Sequence, residues 1–151
     1  LHDALPISAD DIDKTLNSFI KNISVGEKEK VLINEGLKIL KDLNQDINRQ
    51  NISIENASNF FREKAKIYPQ FELVSIINKE GIMISANVDT NIGNDFTYRP
   101  YFKIALEGKE YHTEPYISNT TFNYCITISQ PFKNSSGSII GVIMADICIE
   151  N

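Results

Sequence analysis

An arginine set among aromatic residues is the group in this sequence with the clearest binding chemistry. Arg99 is preceded by Tyr98 and followed by Pro100, Tyr101 and Phe102. A guanidinium presents a planar fork that matches a carboxylate through two parallel hydrogen bonds, and neighbouring rings strengthen such bonds by excluding water. The pattern indicates a site for a small ligand that bears a carboxylate, with Arg99, Tyr101 and Phe102 as candidate contacts. A surface arginine beside core aromatics would give the same pattern, so that alternative stays open.

A carboxylate in an otherwise apolar strand is the second unusual group. Residues 139–148, IIGVIMADIC, present apolar side chains on both faces, which is typical of a central, buried strand. Asp146 shares one face with Val142 and Met144. Burying a carboxylate without a partner is costly, so Asp146 needs a backbone cap, an arginine or lysine, or the ammonium group of a ligand. The sequence leaves all three open.

Hydroxyl groups on another predicted strand could line the same site. In the segment 110–118, EYHTEPYIS, Tyr116 and Ser118 alternate on one face with His112 and Glu114. Tyr116 and Ser118 are therefore further candidate ligand contacts. Tyrosine is also common in strands for packing alone, and that reading is kept beside the first.

Catalytic chemistry has little support. His112 is the single histidine outside the first eight residues, and it lies on a predicted strand beside polar residues. No Ser-His-Asp or Cys-His arrangement can be assembled without it. Phosphate-binding loops and the GxGxxG and HExxH motifs are absent from the sequence. We therefore predict no catalytic residue and a protein that is not an enzyme.

The two cysteines, Cys125 and Cys148, are too few for a disulfide framework or a zinc site. We therefore predict neither a metal nor another cofactor. Both cysteines fall in predicted strands, where we expect small buried hydrophobic side chains. A disulfide between them requires that their strands be neighbours, which the sequence does not establish.

Composition indicates one folded domain. The chain has 151 residues, of which 42% are hydrophobic and 23% charged, as in ordinary globular proteins. The net charge of −5 argues against nucleic acid as a partner. No apolar run of about 18 residues and no secretory signal pattern is present in this stretch.

The first eight residues, LHDALPIS, resemble the in-frame translation of a synthetic sequencing adapter. We therefore expect residues 1–8 to be a non-native tail and natural sequence to be missing upstream. A natural N-terminal arm is the alternative.

Helical spacing dominates the first half of the chain. Apolar residues recur at that spacing over 9–24 and 27–47, with Asp10 and Asp11 as candidate caps of the first stretch. Gly26 between the stretches is expected to interrupt or bend the helix.

Two further features complete the helical half. Gly36 costs about 1 kcal/mol relative to alanine within a helix, so packing of the apolar stripe on a sheet or a twin helix must favour the helix there. Another helix is predicted between Ser53 and Pro69.

Beyond Pro69 the hydrophobic period becomes that of strands. A short helix is predicted over 97–107, and it ends at Gly108. The loop VDTNIGND, 88–95, is polar. Five strands are predicted in the segments FELVSIIN, IMISAN, EYHTEPYIS, YCITISQPF and SIIGVIMADICI. Helices followed by an antiparallel sheet give the α+β class.

The run from Phe71 to Ile147 resembles a Cache domain, the PAS-like extracytoplasmic sensor module of bacterial chemoreceptors, sensor histidine kinases and cyclic-di-GMP enzymes. The segments that carry the resemblance are LVSIINKEGIMISAN, YRPYFKIALEGKEYHTEPYIS, YCITISQPF and SSGSIIGVIMADI. The resemblance implies a single Cache sensor domain over 9–151, helical over 9–68 and with a five-stranded PAS-like sheet over 69–151.

Family members that bind amino acids hold the carboxylate with an arginine, a tryptophan two residues later and a tyrosine next, and hold the ammonium with an aspartate on the last strand. Arg99 and Asp146 match this pattern, whereas Tyr101 replaces the tryptophan and Phe102 the tyrosine. Asn94 stands where a further tyrosine is expected. The resemblance therefore implies a small charged metabolite, such as an amino acid, an organic acid or an amine.

The resemblance also implies a setting. The domain would lie outside the bacterial cell membrane, in a receptor anchored by flanking helices absent from this chain, and would form a homodimer through its N-terminal helix. A second Cache module beyond residue 151 and the type of output domain stay open. The alternative is a PAS-like dimerisation or structural module with no small-molecule ligand. An intracellular PAS domain with haem or flavin has less support, because the sequence offers no clear axial ligand.

Overall fold

The computed structural model of the chain describes residues 8–118 and 121–149, with the side chains of 17–25 left undescribed. The described residues before Ile33 and those from Ile33 onward form two compact units. The predicted non-native tail lies outside the described residues except for Ser8. None of the helices in the described ranges is long and apolar enough to cross a membrane.

The first helix, α1, is a single element, Ala9–Arg49. The interruption predicted at Gly26 was wrong, because a lone glycine costs only about 1 kcal/mol and helical structure continues through it. Ser8 caps the helix, since its Oγ accepts a hydrogen bond of 3.1 Å from the backbone N–H of Asp11. This corrects the prediction of Asp10 or Asp11 as the cap; both lie in the first turn, where carboxylates suit the helix dipole.

The helix predicted between Ser53 and Pro69 is confirmed. It consists of a 3₁₀ turn, Ile54–Asn56, followed by the helix α2, Ser58–Ile67. The helix stops before Pro69, as expected for a residue type that disfavours helical backbone in its predecessor.

The second unit contains helices and, within the described residues, a sheet of six antiparallel strands, which confirms the α+β class. The strands are β1 (Phe71–Asn78), β2 (Met83–Ala86), β3 (Tyr111–His112), β4 (Tyr116–Ile117), β5 (Tyr124–Lys133) and β6 (Ile139–Cys148). Their order is β2-β1-β6-β5-β3, and β4 also pairs with β5. The strand predicted to be central, β6, is therefore flanked on both sides.

The strand predicted over 110–118 is divided into β3 and β4. Pro115 lies in the break and has no N–H to donate to the ladder. At this break the Thr113 N–H donates to the Thr127 carbonyl at 2.9 Å, and the Thr113 hydroxyl accepts from the Thr127 N–H at 3.0 Å. A side chain thus replaces one backbone acceptor at the break between β3 and β4.

One face of the sheet packs against the C-terminal part of α1. A Cβ atom on Gly36 would lie 2.6 Å from Ile128 Cδ1 and 2.9 Å from Ile147 Cδ1, so a side chain would not fit there. Gln130 Nε2 also donates to the Leu37 carbonyl at 2.7 Å. This close packing on the sheet is the interaction that offsets the cost of glycine in the helix.

The opposite face is covered by the helix α3, Pro100–Leu106, which begins three residues later than predicted. The delay has a local cause: the Asp95 carboxylate accepts hydrogen bonds from the backbone N–H and hydroxyl of Thr97, at 2.8 and 2.7 Å, which stabilises a turn. Proline at the first helical position then starts the helix. Gly108, with a φ of +104°, follows its end as predicted.

Candidate functional site

A cavity of about 390 Å³ lies between this second face of the sheet and the segment that leads into α3. The sheet supplies its floor, and the loop before α3 supplies one wall. The lining residues are Leu73, Asn91, Asn94, Asp95, Phe96, Tyr98, Arg99, Pro100, Tyr101, Thr113, Tyr116, Ser118, Met144 and Asp146. Five of the six predicted contacts are thus brought together.

Arg99 is held by the start of α3. It is the N-cap residue of that helix, with extended backbone, and its guanidinium lies 4.8 Å from the centroid of the Tyr98 ring. The Nε atom is buried, and it has no hydrogen-bond partner among the described residues. A buried donor without a partner costs about 1–3 kcal/mol, and an acceptor entering the cavity would remove that cost.

Asp146 lies on β6 and is linked to its neighbours by hydroxyl groups. Its Oδ1 accepts a hydrogen bond of 2.6 Å from Thr127 Oγ1, and the Thr127 hydroxyl is itself hydrogen bonded to the Tyr116 hydroxyl. Because a hydroxyl has one proton, Thr127 gives its proton to Asp146 and accepts that of Tyr116. The partner of Asp146 within the described residues is therefore a side-chain hydroxyl rather than the backbone cap considered from sequence.

Burial raises the pKa of the Asp146 carboxyl above its usual range, while the Thr127 hydrogen bond and the positive charge of Arg99 act in the opposite direction. Burial and the nearby Asp146 charge also raise the pKa values of Tyr101 and Tyr116, so both phenols stay protonated. The two tyrosines are therefore neutral hydrogen-bond donors beside the carboxylate.

The aromatic pair that follows Arg99 is divided between two environments. Tyr101 lines the cavity, and its carbonyl accepts a hydrogen bond of 2.6 Å from Ser129 Oγ, which fixes α3 to the sheet. Tyr101 and Phe102 both belong to the core cluster that includes Ile77 and Val142, but Phe102, which is only 4% exposed, does not line the cavity. Successive helix residues lie about 100° apart around the axis, so the two side chains take different directions.

Tyr116 and Ser118 line the cavity from the segment that includes β4. Ser118 is buried, and its Oγ accepts a hydrogen bond of 3.3 Å from the backbone N–H of Thr121. Its backbone N–H donates to the Asn123 carbonyl at 2.9 Å. These bonds place the serine hydroxyl at the edge of the cavity.

Several lining residues were not singled out from the sequence. Asn91 and Asp95 belong to the loop that was described only as polar, and Asn94 was noted only as the residue in place of an expected tyrosine. The pKa of Asp95 is lowered mainly by the Thr97 backbone N–H and further by its hydroxyl, so this second carboxylate is ionised. Leu73 and Met144 form apolar floor beside Asp146. The alternation of side chains along β6 places Met144 on the same face as Asp146. Leu73 lies beside them only because of the register between β1 and β6, which is set by tertiary packing.

Charged groups of both signs line the cavity. One guanidinium and two carboxylates are present, from Arg99, Asp146 and Asp95. No group of three His, Cys, Asp or Glu side chains converges as a metal site in the part of the chain that the structure describes.

Sequence comparison identifies the family. Residues 35–151 match the family model of the first PDC sensor domain of proteins like methyl-accepting chemotaxis proteins. The chain belongs to this family. The resemblance to Cache-type sensor domains is thereby confirmed, and the family is one of sensor domains rather than enzymes.

The fold of this PDC sensor domain is shared with solved structures. The ligand-binding domain of the amino acid chemoreceptor PctC of Pseudomonas aeruginosa PAO1, in complex with GABA, is 18% identical with a TM-score of 0.67, over 88% of this chain and 61% of that one. The ligand-binding domain of chemoreceptor CtaA of Pseudomonas fluorescens, in complex with L-serine, is 20% identical with a TM-score of 0.65, over 90% and 60%. The sensor domain of the histidine kinase DctB of V. cholerae is 19% identical with a TM-score of 0.61, over 92% and 55%.

A curated protein also matches this PDC sensor domain. Citrate (Re)-synthase of Syntrophus aciditrophicus (strain SB) is 21% identical over an alignment 160 residues long. The alignment covers 96% of this chain and 25% of that protein. The chain spans a quarter of this relative and little more than half of the solved chains.

Proposed function

We propose that this PDC sensor domain binds a small amino-bearing carboxylate, such as an amino acid, in the cavity beside α3. Arg99 pairs with the ligand carboxylate, and Asp146 accepts the ammonium. The observation that carries the proposal is the buried Nε of Arg99, which has no hydrogen-bond partner among the described residues, in a cavity that Asp146 also lines.

The charge balance of the cavity favours an amine-bearing ligand over a purely acidic one. An organic acid without an amine could pair with Arg99 but would leave Asp146 and Asp95 as two carboxylates facing an anion, and like charges at close range repel. A zwitterion satisfies both anchors. The volume of about 390 Å³ is at the small end of ligand sites, which range over about 300–1,000 Å³.

Tyr101, Tyr116 and Ser118 complete the proposed contacts through hydroxyl groups at the cavity surface. Two relatives of the same fold are described as complexes with GABA and with L-serine, which supports the same ligand class here. The open cavity also supports ligand binding over the alternative of a purely structural PAS-like module, in which we expect this space to be filled by core side chains.

The parent protein is proposed to be a membrane-anchored bacterial receptor with this domain on the outer side. The family description and the relatives, which include the extracellular domain of a histidine kinase, support this setting. Whether the output is chemotaxis, kinase signalling or cyclic-di-GMP metabolism depends on a domain outside this chain.

Two copies are proposed to pair through α1. Within the first unit, Ile12 and Leu16 lie one helical turn apart and are 48% and 52% exposed. Apolar side chains at this spacing form a stripe that a second helix could cover.

Asp146 is proposed to transmit binding. It lies near the end of the central strand β6. A ligand ammonium that attracts its carboxylate would therefore shift this strand and the segment that follows it.

A thermal-shift panel tests the proposed ligand class. The panel contains α- and ω-amino acids, the corresponding acids without the amine, and the corresponding amines without the acid. A ligand at about a hundredfold excess over its dissociation constant adds about 2.7 kcal/mol to the free energy of unfolding, so true ligands raise the melting temperature. We expect amino acids to do so and the single-group analogues to fall well short of them.

The other outcomes separate the alternatives. Shifts with organic acids alone would keep Arg99 as the anchor and remove Asp146 from the site. If no compound in the panel raises the melting temperature, the structural-module alternative is favoured instead.

A further inference from the structure

The two cysteines are directly opposite each other on neighbouring strands. Cys125 on β5 pairs in register with Cys148 on β6. The next pair along the ladder is hydrogen bonded, because the Ile149 N–H donates to the Tyr124 carbonyl at 2.9 Å. Pair types alternate in an antiparallel ladder, so Cys125 and Cys148 form a non-hydrogen-bonded pair. The hydrogen bond of the Cys148 N–H is consistent with this pair type, since the N–H points away from β5 and donates to the Gln70 carbonyl at 2.9 Å.

This type of pair brings two side chains closest together. Its Cα atoms are about 4.5 Å apart, which is within the range of roughly 4.4–6.8 Å seen for disulfides. Opposite residues of an antiparallel pair project to the same face of the sheet. For Cys125 and Cys148 this is the face that carries Thr127 and Asp146, because each lies two residues from its cysteine.

We propose that Cys125 and Cys148, which are thiols in the structure, are a disulfide site that closes when the domain meets a disulfide oxidant. Such an oxidant, RSSR, is a small-molecule disulfide or an oxidised dithiol protein. Two cysteine thiols and RSSR become one protein disulfide and two RSH, so the protein loses two electrons and two protons and the oxidant gains them.

The order of steps follows from exposure. Cys125 is fully buried and Cys148 is partly exposed. Burial raises the pKa of the Cys125 thiol to about 11, so Cys125 is the poorer first nucleophile. The Cys148 thiolate attacks RSSR, forms a mixed disulfide and releases RS⁻. Cys125 then gives its proton to the released RS⁻ and attacks the Cys148 sulfur, which expels the second RS⁻.

The bond would join β5 and β6 next to the cavity. Thr127 and Asp146 are opposite each other and are hydrogen bonded. They form the next pair along the two strands on the same face of the sheet as the cysteines. A covalent link there would hold the two strands at the spacing that this hydrogen bond requires. The proposal does not depend on which ligand the cavity binds.

Thiol counting with oxidised glutathione tests the proposal. The chain is treated with excess oxidised glutathione, alkylated under denaturing conditions and weighed by mass spectrometry, and its melting temperature is compared with that of the same chain in dithiothreitol. We expect an oxidised monomer with no alkylated cysteine and no glutathione adduct. Its melting temperature should be about 5–10 °C higher, because a disulfide restricts the unfolded chain.

Cys125→Ser and Cys148→Ser are the matched controls, since each retains one thiol. They should show no internal link and no comparable rise in melting temperature on oxidation. Oxidation during refolding from denaturant, when both thiols are accessible, removes burial as a kinetic obstacle. If the wild-type chain then still carries two thiols, or carries only glutathione adducts or links between chains, the proposed pairing is wrong.

Discussion

Arg99 and Asp146 line one cavity without forming an ion pair, either with each other or with another of the described residues. Opposite charges that face the same space but do not neutralise each other leave both available to a ligand. The ligand proposed for these two groups carries a carboxylate at one end and an ammonium at the other. The proposed binding therefore depends on two anchors, Arg99 and Asp146, and each can be changed without changing the other.

The first anchor is tested by changing Arg99 to lysine and to glutamine. Lysine retains the charge but loses the fork, so we expect about a tenfold loss of amino acid affinity. Glutamine loses both, and we expect roughly a hundredfold loss or more, since charge-assisted hydrogen bonds contribute about 1.5–3 kcal/mol each. Isothermal titration calorimetry measures both. The control is Arg62→Lys, at a surface arginine paired with Asp89. Wild-type affinity in Arg99→Gln would exclude this residue from the site.

The second anchor predicts a pH dependence of binding. Burial raises the pKa of Asp146 above the usual value of 3.8, and only the ionised carboxylate attracts an ammonium. Affinity for an amine-bearing ligand should therefore fall as the pH drops through the raised pKa. Asp146→Asn should bind weakly and show a flatter profile over that range. Equal pH profiles for wild type and variant would show that Asp146 does not contact the ligand.

The same pKa shift predicts a change in stability without ligand. A carboxyl whose pKa is raised in the folded state destabilises the fold at any pH where it is ionised. That penalty disappears as the pH falls through the folded pKa towards the unfolded value near 3.8. At neutral pH, Asp146→Asn should therefore melt at the same temperature as the wild type or higher, and the difference should shrink on acidification. Melting curves across this pH range measure the difference in melting temperature between the variant and the wild type. A difference that grows on acidification would contradict a raised pKa of Asp146.

Sequence patterns predicted the elements of this fold better than their contacts. The period change at Pro69, the helix before it and the buried strand that carries Asp146 were all readable from residue types. The partner of Asp146 was not, because Thr127 becomes its neighbour only through the register of two strands. Strand register depends on tertiary packing as well as on the pattern of each strand.

The cavity shows the same division. Arg99 and Tyr101 were predictable as residues of the cavity from residue type and spacing, whereas Phe102 was assigned to the same site although it does not line the cavity. The rotation of α3 about its own axis decides which of two adjacent aromatics reaches the cavity. Asn91 and Asp95 were missed because a polar loop without periodicity gives no signal of what it faces.

The hydroxyl of Thr127 is predicted to tune Asp146. Its hydrogen bond favours the ionised carboxylate, so Thr127→Val, which preserves shape, should raise the pKa of Asp146 further. The pH at which amine binding is half lost should move upwards, and affinity should fall severalfold. Thr15→Val is the control, since the Thr15 hydroxyl donates to the Asp11 carbonyl at an exposed position of α1. An unchanged pH midpoint in Thr127→Val would argue against this role.

A glycine pair tests the packing of α1 on the sheet. Gly36→Ala places a Cβ within 2.6 Å of the Ile128 side chain, and overpacking of this kind costs about 1–3 kcal/mol. Gly26→Ala has nothing within 4 Å of its new Cβ, so it should gain up to about 1 kcal/mol from helix propensity. Urea denaturation measures both free energies of unfolding. Stabilisation by both changes would mean that the helix does not lie this close to the sheet.

The proposed pairing of two copies is tested at the exposed apolar positions of α1. Leu16→Glu places a charge in the stripe that it forms with Ile12, so it should shift the mass measured by light scattering from dimer to monomer. The control is Ile67→Glu, an exposed apolar position on α2, which should leave the mass unchanged. A wild-type chain that is monomeric at high concentration would rule out pairing by this domain alone.

The loop that carries Asn91, Asn94 and Asp95 adds nothing to the hydrophobic core, because these side chains are exposed or partly exposed. The charged anchors, in contrast, are built into a helix start and a central strand. Substitutions of Asn91 and Asn94 should therefore change the shape and polarity of the cavity at almost no cost in folding, whereas Asp95 also stabilises the turn before α3. A domain built in this way can change which ligand it prefers through mutations in one surface loop. The proposed anchors, Arg99 and Asp146, stay unchanged.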